Sequence, residues 1–435
     1  MTPGPVAARR PGSPHRVMRA FVALTFLDYF GDMCITVTSV LLLRQRGFSS
    51  AGILWLVATV WLLEAVLEVP TGAFADAMGR RLSVVVSFTI RGVGYSLLFF
   101  SASKTIAVAG VLTASVGGPF ASGALEAWAV DHLQMLSRAV NLDRVFTFGK
   151  VAESSGIVAG LLTGAGLGQM LGLAVPQLAA GAVCMITAAV CTIVLGRAQR
   201  ESRAAQAAPD GALIGPMRNS ARDVVRGVRL ALRSDRVLTA LLVVSAGMWL
   251  IRGIPGVQWT VHFDVITGGT LIALGIARAL GDLLQIPLLT VVARVTASPG
   301  KRRETIALAA ACAAVCLVCA ALLPGAYLGI ALYVLFTVCW GLCMPGIKAA
   351  INERAASSTR ATLLSVGGML NAVATGAGLY TLGIIGLPLS AVSVTWPLAG
   401  VAVLVAGLAG ARLCRPGPAV KPARQLLDAQ SSSVR

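Results

Sequence analysis

The feature that most constrains this chain is a series of long apolar segments, at 20–43, 51–71, 82–102, 105–130, 147–169, 173–196, 237–261, 266–293, 305–324, 328–348, 362–385 and 389–411. Each is close to the about 20 residues that a helix needs to cross the hydrocarbon layer of a bilayer. In lipid every backbone N–H and C=O must be satisfied within the protein, so segments of this length have to be helical. Only 12% of the 435 residues are charged, where soluble domains carry about 25%. The expected fold class is an all-α integral membrane protein with twelve transmembrane helices. The first segment is longer than a signal-peptide core and no small-residue cleavage pattern follows it, so it is read as an uncleaved first span.

The polar, Arg-rich stretch 197–236 divides the segments six and six. The expected organisation is a cytoplasmic N-tail (1–19), an N-terminal six-helix bundle (20–196), a cytoplasmic central loop (197–236), a C-terminal six-helix bundle (237–411) and a cytoplasmic C-tail (412–435). The basic residues support this sidedness. Of the 36 Lys and Arg, only Arg44, Arg46 and Lys104 fall on the face opposite the termini. Arg91, Arg252, Arg278 and Lys348 lie within spans or at their ends, and the rest fall on the face of the termini. Such a skew places both termini in the cytoplasm. It also accounts for the +18 net charge as topology signal and contact with anionic lipid, with no nucleic-acid partner implied. Abundant Ala and a large excess of Arg over Lys point to a GC-rich bacterial genome, hence to the bacterial inner membrane.

The nine cysteines are odd in number and mostly mid-span, which argues against a disulfide framework. Cys312, Cys316 and Cys319 share a helix face, as do Cys339 and Cys343. They are read as small residues packing helices together rather than as a soft-metal route, and no metal site is expected.

The loop between the second and third segments reads Gly72-Ala-Phe-Ala-Asp76-Ala-Met-Gly79-Arg80-Arg81. It resembles the signature loop of the major facilitator superfamily, roughly G-x-x-[AS]-D-x-x-G-R-[RK], and the lead-in Leu67-Glu-Val-Pro-Thr-Gly72 is similar to a subset of these transporters. The resemblance covers almost the whole chain. It implies two pseudo-symmetric six-helix bundles, a monomer, and a role for Gly72, Asp76, Gly79, Arg80 and Arg81 in latching the halves together on the cytoplasmic side. In the second half, 293–303 keeps the glycine and the bases but lacks the aspartate, and Asp131…Arg144 is echoed loosely by Asn352…Arg360. Two features depart from drug/proton antiporters of the superfamily: the fourth span lacks their arginine, and the fifth keeps a glycine spacing without their proline.

Carboxylates at bilayer depth are costly, by about 2.5–3.5 kcal/mol for Asp on insertion scales. This chain has six in its first half. Asp28 and Asp32 lie four residues apart on one face of the first span, and Glu64 and Glu68 repeat the device in the second. Glu126 and Glu153 complete the set. Asp28, Glu64, Glu126 and Glu153 are expected at similar depth, as one cluster with Arg91 its only nearby base. Such a set titrates as a coupled unit, and a protonatable cluster on a cavity is what proton coupling requires. In the second half, Arg278 and Asp282 are spaced to pair with each other. Arg252 has no local partner; it either bridges to the acidic half or binds an anionic group of the substrate. Gln258, Trp259 and Asn371 are candidate cavity residues, and Pro255 and Pro345 candidate kinks.

The expected function is secondary active transport by alternating access: proton-coupled efflux of a small amphipathic molecule, a drug or secondary metabolite. The proton gradient supplies the energy and no cofactor is required. A proton-coupled nutrient importer on the same fold is the alternative, and a non-transporting receptor or scaffold a third reading. No nucleophile–base pair or metal-ligand spacing suggests an enzyme.

Overall fold

The computed structural model describes residues 14–136, 142–205, 229, 235–295, 299–355 and 360–414. Most of the expected N-tail, central loop and C-tail lies outside the described residues. Among the described residues, twelve helices or helix pairs are long and apolar enough to cross a membrane. The elements are α1 (Pro14–Thr36), α2 (Ser39–Gln45), α3 (Ser50–Met78), α4 (Arg80–Phe99), α5 (Lys104–Ala121), α6 (Ala124–Leu136), α7 (Leu142–Leu171), α8 (Val175–Ala205), α9 (Arg236–Ile266), α10 (Leu271–Val295), α11 (Pro299–Leu322), α12 (Ala326–Arg354), α13 (Arg360–Ile385) and α14 (Val392–Leu413). Several start on side-chain caps that satisfy otherwise orphaned backbone N–H groups. Ser49 accepts from the Gly52 N–H at 3.1 Å, and Asp235 accepts from the N–H groups of Val237 and Leu238 at 2.9 and 3.1 Å.

Two expected spans are broken rather than continuous. The first divides into α1 and α2 at Val37 and Thr38. There the hydroxyls of Thr36, Thr38 and Ser39 donate to the backbone carbonyls of Asp32, Ile35 and Ile35, which gives the chain an alternative to the helical ladder. The fourth divides into α5 and α6 at Ser122 and Gly123, where Gly123 takes φ +67°, a conformation open to glycine. In contrast, α9 and α12 run through Pro255 and Pro345 without interruption.

Within the first half α1 packs on α7 and α8, α4 on α5 and α8, and α3 on α5. The second half repeats the scheme: α9 packs on α13 and α14, α11 on α12 and α14, and α10 on α12. The halves meet through α3 with α13 and α7 with α10, two pairs that the same correspondence exchanges. The glycine spacing read in the fifth segment is the α1–α7 seam. A Cβ at Gly156, Gly160 or Gly164 would strike the carbonyl of Phe26, Phe30 or Cys34, so small residues let the backbones touch.

The larger buried core fills the second half and continues into the part of the first half remote from the termini, through Val37, Leu41, Ile53, Ala58, Leu161 and Ala165. The rest of the first half has a core of its own, built on Phe21, Leu24, Phe88, Trp128 and Leu195. Ties between the halves sit at the face opposite the termini. The Gln169 side chain accepts from the Leu271 N–H at 2.6 Å, and Ser50 accepts from the Leu389 N–H at 3.2 Å. Trp55 faces Tyr380, with ring centroids 6.3 Å apart. The two halves therefore close on each other at that face.

Candidate functional site

The centre of the first half is a four-residue arrangement between α1 and α4. Asp28 and Asp32 are separated by one helical turn, and so are Arg91 and Tyr95, so two i, i+4 pairs face each other. The Arg91 guanidinium forms ion pairs with both carboxylates and also donates to the Asp28 backbone carbonyl at 3.2 Å. The Tyr95 hydroxyl donates to Asp32 at 2.5 Å. The Arg91 side chain is 3% exposed, that of Asp28 22% and that of Asp32 43%. One fully buried base thus holds one enclosed acid and one acid at the accessible edge. Charge-assisted bonds of this kind are the stronger class of hydrogen bond.

The remaining acids surround this core. Glu64 on α3 lies within electrostatic reach of Asp32 and Arg91. Glu68, one turn further along, accepts from the Ser122 hydroxyl at 3.3 Å, across the break that ends α5. Tyr29 sits among Asp28, Asp32, Glu126 and Glu153. Glu153 is held by Lys150 at 2.5 Å, so Arg91 is not the only base beside the cluster, as the sequence had suggested. Lys150 belongs to α7 and reaches Glu153 at i+3. Tyr95 was missed too; its signal is the one-turn spacing from Arg91.

The signature loop is shorter than its motif. Helix α3 runs through Gly72 and Asp76 to Met78, and the turn itself is Gly79, at φ +94°. Arg80 pairs with Asp131 at 2.5 Å, and Arg81 donates to the Thr192 carbonyl at 2.6 Å. Both partners are in the same half. Asp76 is exposed, in a pocket of about 580 Å³ that it shares with Arg80, Arg81 and Asp131. The second half has a matching clamp: Arg302 grips Glu353 through two bonds of 2.8 and 2.6 Å. In each half 51 residues separate base from acid. The counterpart of Asp131 is therefore Glu353, one position beyond the Asn352 suggested by sequence. Beside it Arg354 pairs with the α9 cap Asp235 at 3.2 Å. Partial burial of Asp235 would push its carboxyl up. Hydrogen bonds from the Leu238 N–H, the Arg354 guanidinium and the Val237 N–H outweigh that and hold it below the ordinary carboxylate value.

In the second half Arg278 and Asp282 pair at 3.1 Å, as their spacing predicts. Arg252 does not reach the acidic half. Its guanidinium carbon stands 5.0 Å from the Trp340 ring centroid. Two cavity candidates are buried in the packing. Gln258 is buried and accepts from Thr395 at 2.8 Å and from the Trp396 indole N–H at 3.1 Å, so it ties α9 to α14. Trp259 is buried and stacked on Tyr333. Asn371 is half-buried and accepts from Ser245 at 3.1 Å. An apolar pocket of about 930 Å³, with Met18, Phe26 and Phe148 among its walls, opens instead between α1 and α7.

Comparison with known proteins gives a consistent picture. The family model described as Major Facilitator Superfamily matches residues 21–379. No curated protein matches the sequence. Among solved structures, the nucleoside transporter NupG is similar at 13% identity and a TM-score of 0.67, over 92% of this chain and 100% of that one. A peptide transporter POT in complex with sulfate is similar at 14% identity and a TM-score of 0.70, over 92% and 95% of the two chains. The POT family transporter PepTSo is similar at 12% identity and a TM-score of 0.69, over 93% and 98%. Identities this low establish a shared fold.

Proposed function

The chain belongs to the Major Facilitator Superfamily, and from that premise we propose that it is a proton-coupled exporter of a small amphipathic molecule. The carrying observation is the buried Arg91 that holds two membrane-depth carboxylates, one of them 43% exposed. Asp32 is in place to exchange a proton with a water-filled cavity, while Asp28 keeps the guanidinium neutralised. Protonation of Asp32 frees one arm of Arg91 and the Tyr95 hydroxyl. That changes the net charge of the site by one unit, and carrying one charge across the whole membrane potential is worth about 2.3 kcal/mol per 100 mV. Glu64, on the helix that meets α13 across the half-to-half seam, is the second proton carrier in this reading. Glu68, Glu126 and Glu153 keep the field negative.

Orientation follows the basic residues: the face of the termini is cytoplasmic, in a bacterial inner membrane. The opposite face is closed by Gln169–Leu271 and Ser50–Leu389, and in this reading the face of the termini is the one through which the site is reached. The signature-loop residues Asp76, Arg80 and Arg81 then have their latch disengaged, and each clamp stays within its own half. The protein works as a monomer, binds no nucleic acid and needs no cofactor beyond the proton gradient.

The test is growth of an efflux-deficient bacterium expressing the protein, across a panel of toxic compounds. Resistance to at least one compound is expected. At matched expression, Asp32→Asn and Glu64→Gln should abolish it. Resistance that survives both substitutions removes the coupling site, and sensitisation in place of resistance favours import.

A further inference from the structure

Among the described residues, the interior of the second half holds a positive charge with no carboxylate of its own. Among the described residues no carboxylate lies within ion-pair distance of Arg252. The charged groups facing it are Arg278 and Asp282, which pair with each other. Its remaining neighbours are the Tyr333 hydroxyl, the Trp340 ring and, one turn along its own helix, Gly256. The Tyr333 hydroxyl donates to the Pro255 carbonyl at 3.3 Å and its oxygen accepts from the Arg252 guanidinium, a neutral partner that leaves the charge uncompensated. An ionised side chain at bilayer depth without a partner is the kind of group that function retains.

A second observation points the same way. Trp340 stands edge-on to Trp249, with centroids 5.1 Å apart. The indole N–H groups of both are buried and have no acceptor. Buried donors are nearly always satisfied, so these two orphans stand out beside a guanidinium without a carboxylate of its own; an orphaned acceptor in the same half, the second oxygen of Asp282, belongs to the Arg278 pair. Trp249 in turn stands 6.1 Å from Trp61 of α3, three residues before Glu64. The aromatic run therefore crosses from the acidic half to Arg252.

We propose that Arg252, with the indole donors of Trp340 and Trp249, receives an anionic group of the substrate. The transported molecule is then an amphiphile with an aromatic or apolar body and a carboxylate. This rests on the reading of the protein as a transporter and narrows its substrate class. An anion completes the hydrogen bonding of three donors, and the tryptophan faces cover the apolar body.

The experiment is a titration of the purified full-length protein in detergent with dansylglycine and with its neutral carboxamide, read by energy transfer from tryptophan to the dansyl group. The acid should bind more tightly by about tenfold or more, the scale of a charged hydrogen bond. Arg252→Gln should bring the two affinities together, and Arg252→Lys should keep part of the preference. Trp340→Phe, which keeps a ring and deletes a donor, should reduce the preference without removing it. Equal binding of acid and amide by the wild type overturns the proposal, as does an undiminished preference in Arg252→Gln. Failure of dansylglycine, 1-naphthylacetate and 4-phenylbutyrate all to bind overturns it as well. If the Arg252 variants do not fold, the wild-type preference and Trp340→Phe still decide. No gradient is involved, so the titration reads the anion site without the coupling reaction that Asp32→Asn disables in the growth assay. Loss of coupling there is thus distinguishable from loss of the anion site.

Discussion

The two halves share one architecture and carry opposite chemistry. Helix for helix their packing partners correspond, and each carries at its terminal face a base–acid clamp of the same sequence separation, Arg80–Asp131 and Arg302–Glu353. Their interiors differ. The first encloses six carboxylates against Arg91 and Lys150. The second encloses one self-contained ion pair, one unpaired arginine and a run of tryptophans. Backbone pairing is set by small residues and apolar faces, which tolerate such divergence. A charged group at bilayer depth is costly without partners or a function, so the interior chemistry of each half had to be assembled locally.

The comparison breaks hardest at Arg91. Arg91→Gln leaves two carboxylates without their base, and removing one partner of a buried ionic set costs about 3–5 kcal/mol. Partial exposure of Asp32 places the effect toward the lower end. Melting of the purified variant measures it, and adding Asp28→Asn should recover stability without recovering transport. A variant as stable as the wild type would mean that the ionic core is not what holds α1 to α4.

The matched disruption in the second half is Asp282→Asn. It removes a partly buried charged hydrogen bond from Arg278, worth about 1–3 kcal/mol. It should lower the melting temperature while leaving proton coupling intact. Coupling lost in this variant would erase the functional difference between the halves.

The smallest effect is expected at the terminal face. Asp235→Ala deletes a helix cap, about 1 kcal/mol, together with the tie to Arg354. The folded carboxyl lies below its ordinary value. Its contribution is therefore complete above the unfolded value of about 3.9 and is lost as pH falls through the folded one. The melting difference between wild type and Asp235→Ala should be constant from pH 7 to pH 5 and shrink below pH 4. A difference that changes around neutrality would assign the effect to another group.

Much of this was legible in the chain. The crossings follow from hydropathy and the Arg278–Asp282 pair from a four-residue spacing; the glycine spacing of the fifth segment was visible, but not that α1 is the helix packed on it. The breaks at Val37–Thr38 and Ser122–Gly123 were missed because a hydropathy window averages over single hydroxyl and glycine steps. Gln258 looked like a polar wall residue, since sequence does not show that Thr395 and Trp396 arrive from another helix to satisfy it.

By itself, then, the sequence determined the number of spans, the asymmetry of basic residues between the two faces and the presence of six deep acids. These depend on residue type and local spacing, which the chain carries from end to end. Only the tertiary structure decided that Arg91 takes Asp28 and Asp32 together and that Arg252 is left with Tyr333 and aromatic rings. Which acid meets which base depends on how each helix is rotated against its neighbours. That rotation is set by contacts between segments tens to hundreds of residues apart, and no local pattern encodes it.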